Sequence, residues 1–137
     1  PVKPKFPAAA KKQTDEGAVA FVEYYWATLN YALTKPDANI LQPLGTSGCE
    51  GCRLMQQSVD SLVDKSNSYA LPPVVLEKSE KIYNSSGRAR VLVKIKAYDV
   101  PVLDTTGKVV KKAQSEAFSR LVDLTWHEGW QVDAIAN

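Results

Sequence analysis

The sequence predicts an α+β domain: three N-terminal helices packed on a curved, mostly antiparallel, meandering sheet of about four strands. Three observations carry this. Apolar residues recur at helical spacing as far as about Lys65. After Pro73 the spacing switches to alternation, broken by turn signals. Helices followed by strands, without interleaving, place the helices on one face of the sheet. At 137 residues the chain makes one domain, able to bury about two-thirds of the surface its unfolded form exposes.

The folded part opens with TDEGAVAFVEYYWATLNYALTKPD. Ala18, Phe21, Val22, Tyr25, Trp26, Leu29, Ala32 and Leu33 fall on one helical stripe. Thr14 or Asp15 caps this helix, and Asp15 and Glu16 sit where the helix dipole favours acid. Pro36 ends it. Asp37 then caps a short second helix carrying Ile40, Leu41 and Leu44, limited by Pro43 and Gly45. Cys52, Met55, Val59, Leu62 and Val63 repeat at helical spacing, so a third helix runs from about Cys49 to about Lys65. Pro72 and Pro73 forbid its continuation.

The strands follow. Residues 74–84 are rich in β-branched and apolar side chains, and NSSG, residues 84–87, is a turn. The next strand is the cleanest: Ala89, Val91, Val93, Ile95 and Ala97 face one way, Arg88, Arg90, Lys94 and Lys96 the other. It is expected to continue through Pro101 to Leu103 with a bend or bulge at the proline. DTTG, residues 104–107, makes a hairpin turn. A third strand returns from about Lys108 to Trp126. HEG, residues 127–129, turns into the last strand, WQVDAIA.

Residues 1–13, PVKPKFPAAAKKQ, carry three prolines and four lysines, with Phe6 the one large apolar side chain. This composition reads as an extended tether outside a core formed by residues 14–137. Its two readings are a frayed or added end, and the spacer of a secreted or lipid-anchored protein; the spacer is preferred because such a composition holds a domain off a surface. Deleting it is then expected to leave the thermal midpoint nearly unchanged.

Composition narrows function. Hydrophobic residues make 45% and charged residues 23%, and the net charge is +2 with both signs interleaved. That balance argues against a nucleic-acid partner. No apolar run approaches the roughly 20 residues of a membrane span.

The helix FVEYYWATLNYA, the helices after it, and a sheet closing on WHEGWQVDAI together resemble the nuclear transport factor 2-like (cystatin-like) cone fold over residues 14–136. With the GCEGC segment and the proline-rich start, the chain is most similar to an actinobacterial lipoprotein family of unknown function. That resemblance implies a signal peptide and a lipid-attached cysteine upstream, an extracytoplasmic location on the outer face of the cell membrane or secretion, and no activity to carry over.

Cys49 and Cys52 are the two cysteines. A dithiol oxidoreductase wants Cys-x-x-Cys at a helix N-terminus, which is met. It also wants a βαβ context, which is not. Zinc needs four ligands, and the chain offers two cysteines and one distant histidine. In an oxidising compartment a structural disulfide is the preferred reading over free thiols or redox chemistry. No metal and no cofactor are expected.

Cone-fold enzymes hold a His/Asp or Tyr/Asp pair for proton transfer. Here the sole histidine, His127, reads as a solvated turn residue. No catalytic residue is assigned. Phe118, Arg120, Val122, Leu124 and Trp126 share one face of a strand, so Arg120 interrupts an apolar stripe. It reads as a pocket anion site, or as paired with Glu116 or Asp123, or as turned outward by a bulge. Tyr25 and Trp26 read as core; Tyr24 and Tyr31 share a second stripe. The expected ligand-binding residues are Tyr24, Tyr31, Arg120 and Trp126 at the cone mouth, with a filled, ligandless cone as the competing outcome. The expected function is a non-catalytic extracytoplasmic module binding a small ligand, a wall component or an envelope protein, as a monomer or weak homodimer. The alternative is a small hydrolase, isomerase or dehydratase.

Overall fold

The computed structural model describes residues 2–112 and 114–137. Its helices are α1 (Asp15–Thr34) and α2 (Glu50–Lys65). The strands are β1 (Ser68–Tyr69), β2 (Val74–Ser85), β3 (Arg88–Ala97), β4 (Val102–Leu103), β5 (Val109–Lys111), β6 (Glu116–Trp126) and β7 (Trp130–Ala136).

α1 is the helix the sequence predicts. Thr14 is the N-cap, its Oγ1 accepting from the Gly17 N–H at 2.9 Å. The predicted stripe is buried throughout, joined by Gly17 and Thr28. The predicted second helix does not form: the segment gives one 3-10 turn at Gln42–Leu44, so the domain has two α-helices among the described residues rather than three. Pro43 lacks the N–H a longer helix needs, Gly45 is already extended, and of Ile40, Leu41 and Leu44 only Leu41 is fully buried. α2 starts at Glu50 with Cys49 as N-cap and stops at Ser66 in the left-handed region at φ 55°.

The main sheet runs β2-β3-β6-β7, every pair antiparallel. Ala89, Val91, Val93 and Ile95 of β3 lie beside Val122 and Leu124 of β6, and these bury against the α1 stripe. α2 crosses β7 closely: a Cβ built on Gly51 would lie 2.8 Å from Ile135 Cβ.

Two expected strands are each divided. β3 ends at Ala97, where the Val100 N–H turns back to the Tyr98 carbonyl at 2.9 Å. Past Pro101, which has no N–H to continue the ladder, β4 joins a second sheet of order β1-β4-β5. The expected strand of residues 108–126 is likewise split into β5 and β6, in different sheets; residue 113, between them, lies outside the described residues.

The segment expected as a tether packs on the domain. Ala8–Lys11 forms a 3-10 turn and Ala10 is fully buried in the core. Phe6 meets Tyr24 and Phe21 edge-on at 5.1 and 6.3 Å between ring centroids. The Trp130 indole N–H donates to the Lys12 carbonyl at 3.1 Å. The anchors are Phe6, the small side chain of Ala10 and the Lys12 backbone carbonyl, of which composition reveals only the first. Among the described residues, no helix is long and apolar enough to cross a membrane.

Candidate functional site

Tyr25 belongs to the apolar stripe of α1, and its ring is 1% exposed. A buried phenol is half an apolar side chain and half a hydroxyl that needs a partner. The Tyr25 hydroxyl has none among the described residues. The Tyr25 side chain lines a cavity of about 210 Å³ between α1, the 3-10 turn and the first half of α2, but its hydroxyl oxygen is closed off from that space. Leu41, the Cys49–Cys52 pair, Arg53, Gln56 and Asp60 form part of the wall, together with the polar side chains of Gln42, Ser47 and Gln57. Burial holds the Tyr25 phenol well above the usual tyrosine range, so it stays an O–H donor.

The far wall is built by α2. The Gln56 amide nitrogen donates to the Ala38 carbonyl and to Asp60 Oδ1, each at 2.9 Å. Two acceptors on one side fix the amide: reversed, its oxygen would face both of them. Gln56 Oε1 is therefore an acceptor, buried and without a partner among the described residues. A second, open groove of about 700 Å³ lies between α2 and the small sheet, lined by Ser58, Ser61, Asn67 and Tyr69 among others.

Cys49 and Cys52 are joined as a disulfide, their Cα atoms 5.2 Å apart. The Cys49 sulfur also accepts from the Cys52 N–H at 3.1 Å, closing the first turn of α2. The pair is held against the preceding loop: a Cβ built on Gly45 would lie 2.8 Å from the Cys52 sulfur. The disulfide thus forms one wall of the cavity as well as a clasp. Among the described residues there is no cluster of three or more His, Cys, Asp or Glu side chains able to hold a metal.

The four residues expected at the cone mouth do not gather. Tyr24 packs on Phe6. Tyr31, two turns further along α1, is half-buried. Trp126 stacks edge-on with Trp130 at 5.0 Å, closing the β6–β7 hairpin. Arg120 has the predicted face, opposite Val93, but its guanidinium folds over the Phe118 ring at 4.3 Å and donates to the Ser119 carbonyl at 2.9 Å. It pairs with neither Glu116 nor Asp123; Asp123 instead takes two bonds from Arg90, its cross-strand neighbour, at 2.6 and 3.1 Å. None of the four lines the α1–α2 cavity. His127 is exposed in the last turn.

The residues that do build the cavity were legible only in part. Tyr25 reads as core from its spacing alone. Gln56 and Asp60, four apart on one face of α2, are a polar pair interrupting the approach to Val59.

The chain belongs to the DUF6318 family of unknown function, whose model matches residues 1–135. No curated protein matches it by sequence. Among solved structures it is similar to a Xanthomonas campestris protein named for the calcium/calmodulin dependent protein kinase II association domain, with a TM-score of 0.52 and 12% identity, over 98% of this chain and 91% of that one. Identity this low shows the shared α+β cone architecture alone.

Proposed function

We propose that the domain is a non-catalytic binding module whose ligand is a small molecule held in the α1–α2 cavity. The observation that carries this reading is the cavity of about 210 Å³ itself, walled by apolar surface from Tyr25, Leu41 and the disulfide and by the polar side chains of Gln56 and Asp60. The void of about 210 Å³ exceeds the roughly 10–15 Å³ that one water needs. We place the domain outside the cytoplasm, as a lipoprotein or secreted protein, because a Cys49–Cys52 disulfide persists where the surroundings are oxidising.

The test is mass spectrometry of small molecules released on denaturing protein purified from its native envelope. A compound that accompanies the wild type and is lost from Gln56→Leu supports the reading. The same compounds released from both proteins, or none from either, counts against it.

A second reading has one observation in its favour. Asp60 lines the same cavity, and a carboxylate there can serve as the base in proton transfer. An enzyme of this kind would convert the retained compound when assayed with it, and Asp60→Asn would stop the conversion while leaving the compound bound.

A further inference from the structure

We propose that the open groove between α2 and the small sheet docks an extended acidic peptide segment of another protein. This face is separate from the α1–α2 cavity, and the inference does not depend on what that cavity holds.

The groove has two matched walls. Leu54, Ser58, Ser61 and Lys65 line it, and their spacing puts them on one face of α2. At about 1.5 Å per residue they span about 16 Å of helix, the reach of about five residues of extended chain. The opposite wall is a row across the small sheet. Tyr69 of β1 is in register with Val102 of β4, and Val102 with Lys111 of β5. The β4–β5 register then slips, which leaves Val110 as an extra residue beside Lys111. A bulge of this kind re-aims side chains, and here both Val110 and Lys111 line the groove.

Charge selects the occupant. Among the described residues the lining has two charged side chains, Lys65 on one wall and Lys111 on the other, and no carboxylate. Both lysines are exposed, and neither is in an ion pair among the described residues. The carbonyls of Leu62 and Val63 near the end of α2 already accept from the N–H groups of Asn67 and Ser66, at 3.0 and 3.2 Å, so Lys65 is not needed to cap them. The other polar groups of the lining, the serines, the amides of Gln57 and Asn67 and the Tyr69 phenol, are neutral and can donate or accept. They take either sign, so the two lysines decide for an anion. Leu62 and Val102 are buried beneath the groove, while Leu54 and Val110 are 52% and 48% exposed along it. Apolar surface between two cations suits a chain that carries both carboxylates and an apolar side chain. A small anion in so open a groove would stay in water, whereas an extended segment touches both walls.

The test follows backbone amide NMR shifts of the full chain in low-salt buffer with three probes. These are the acetylated, amidated peptide Glu-Glu-Leu-Glu-Glu, its counterpart Gln-Gln-Leu-Gln-Gln, and inorganic polyphosphate of similar length. The acidic peptide should shift Ser58, Ser61, Val102 and Val110 and bind about fivefold tighter than the glutamine peptide, because an exposed ion pair supplies a few-fold at most. Added salt should shrink that difference. Lys65→Gln/Lys111→Gln should abolish it. Lys94→Gln, an exposed lysine on the face of β3 turned away from the core, should keep it. Should the double variant not fold, the probe ranking and its salt dependence on the wild type decide alone. Equal binding of the two peptides overturns the acidic class. Polyphosphate bound at the same residues as tightly as the acidic peptide overturns the peptide in favour of an anionic polymer. No shift at these residues with any probe overturns the docking surface, and each of these failures leaves the reading of the α1–α2 cavity standing.

Discussion

Gly17 and Lys12 touch backbone to backbone: a Cβ built on Gly17 would lie 2.2 Å from the Lys12 carbonyl oxygen and 2.6 Å from that of Ala9. The glycine is a contact surface at which the N-terminal segment docks on α1, and its position explains why a segment of prolines and lysines is ordered there. In an ordinary helix Gly→Ala stabilises by roughly 1 kcal/mol. Here Gly17→Ala should lower the thermal midpoint of the full chain by several degrees, because the segment is levered off. After deletion of residues 1–12 the same substitution should raise it. The deletion itself should cost about 1–3 kcal/mol, because the Trp130 indole, 4% exposed, loses its acceptor. Differential scanning calorimetry of the four proteins reads both effects, and a deletion without effect would restore the tether.

A second prediction concerns Asn30. Its side-chain amide pairs with Val74 in both directions, donating to the carbonyl and accepting from the N–H at 3.1 Å. It thus stands in for a neighbouring strand at the start of β2. Asn30→Asp keeps the shape but removes the donor and sets a carboxylate against the Val74 carbonyl. The expected loss is about 1–3 kcal/mol, read as a lower urea midpoint at unchanged slope. An unchanged midpoint would mean that water serves Val74 equally well.

How much of this was legible in the sequence differs by element. α1 and α2 were, because their stripes are long; Thr14 also reads as the cap of α1, whereas the cap of α2, the Cys49 sulfur, is seen only in the structure. The β2–β3 and β6–β7 hairpins were, because alternation and turn residues agree. The second sheet was not: β1, β4 and β5 have two or three residues each, too short for any period, and their pairing is set by where Pro101 releases the chain. The site was legible only at Tyr25, and as core. Arg120 misled because a strand face says which way a side chain leaves the backbone, not where a long flexible one ends. It ends on its own neighbour, Phe118.

The cysteines allow a third prediction that separates two roles. Cys49 and Cys52 close a loop so short that chain entropy contributes about 2 kcal/mol at best. Cys49 also caps α2 through its sulfur. The Cys49→Ser/Cys52→Ser variant loses the bond but keeps a good cap. Cys49→Ala/Cys52→Ala loses both and should be less stable than the serine pair by about 1 kcal/mol. Equal stability of the two would remove the capping role. Intact mass of the non-reduced protein should show no thiol open to alkylation, and two alkylated thiols would remove the disulfide.

The last prediction concerns Tyr25. Its hydroxyl has no partner among the described residues, so Tyr25→Phe deletes a group that was costing the empty fold something. The variant should be as stable as the wild type, or more so by up to about 1 kcal/mol. A hydroxyl serving only structure would show the opposite sign. The pH dependence follows from the same burial. The folded phenol is raised above its ordinary value, so the folded state holds its proton more tightly than the unfolded chain does. That stability is fully present below the unfolded value, about 10, and is lost as pH rises toward the higher folded value. The wild type should therefore weaken more steeply than Tyr25→Phe above about pH 10. Below that pH the variant should match or exceed it. A Tyr25→Phe protein that is clearly less stable at neutral pH would assign the hydroxyl to an ordered internal water instead.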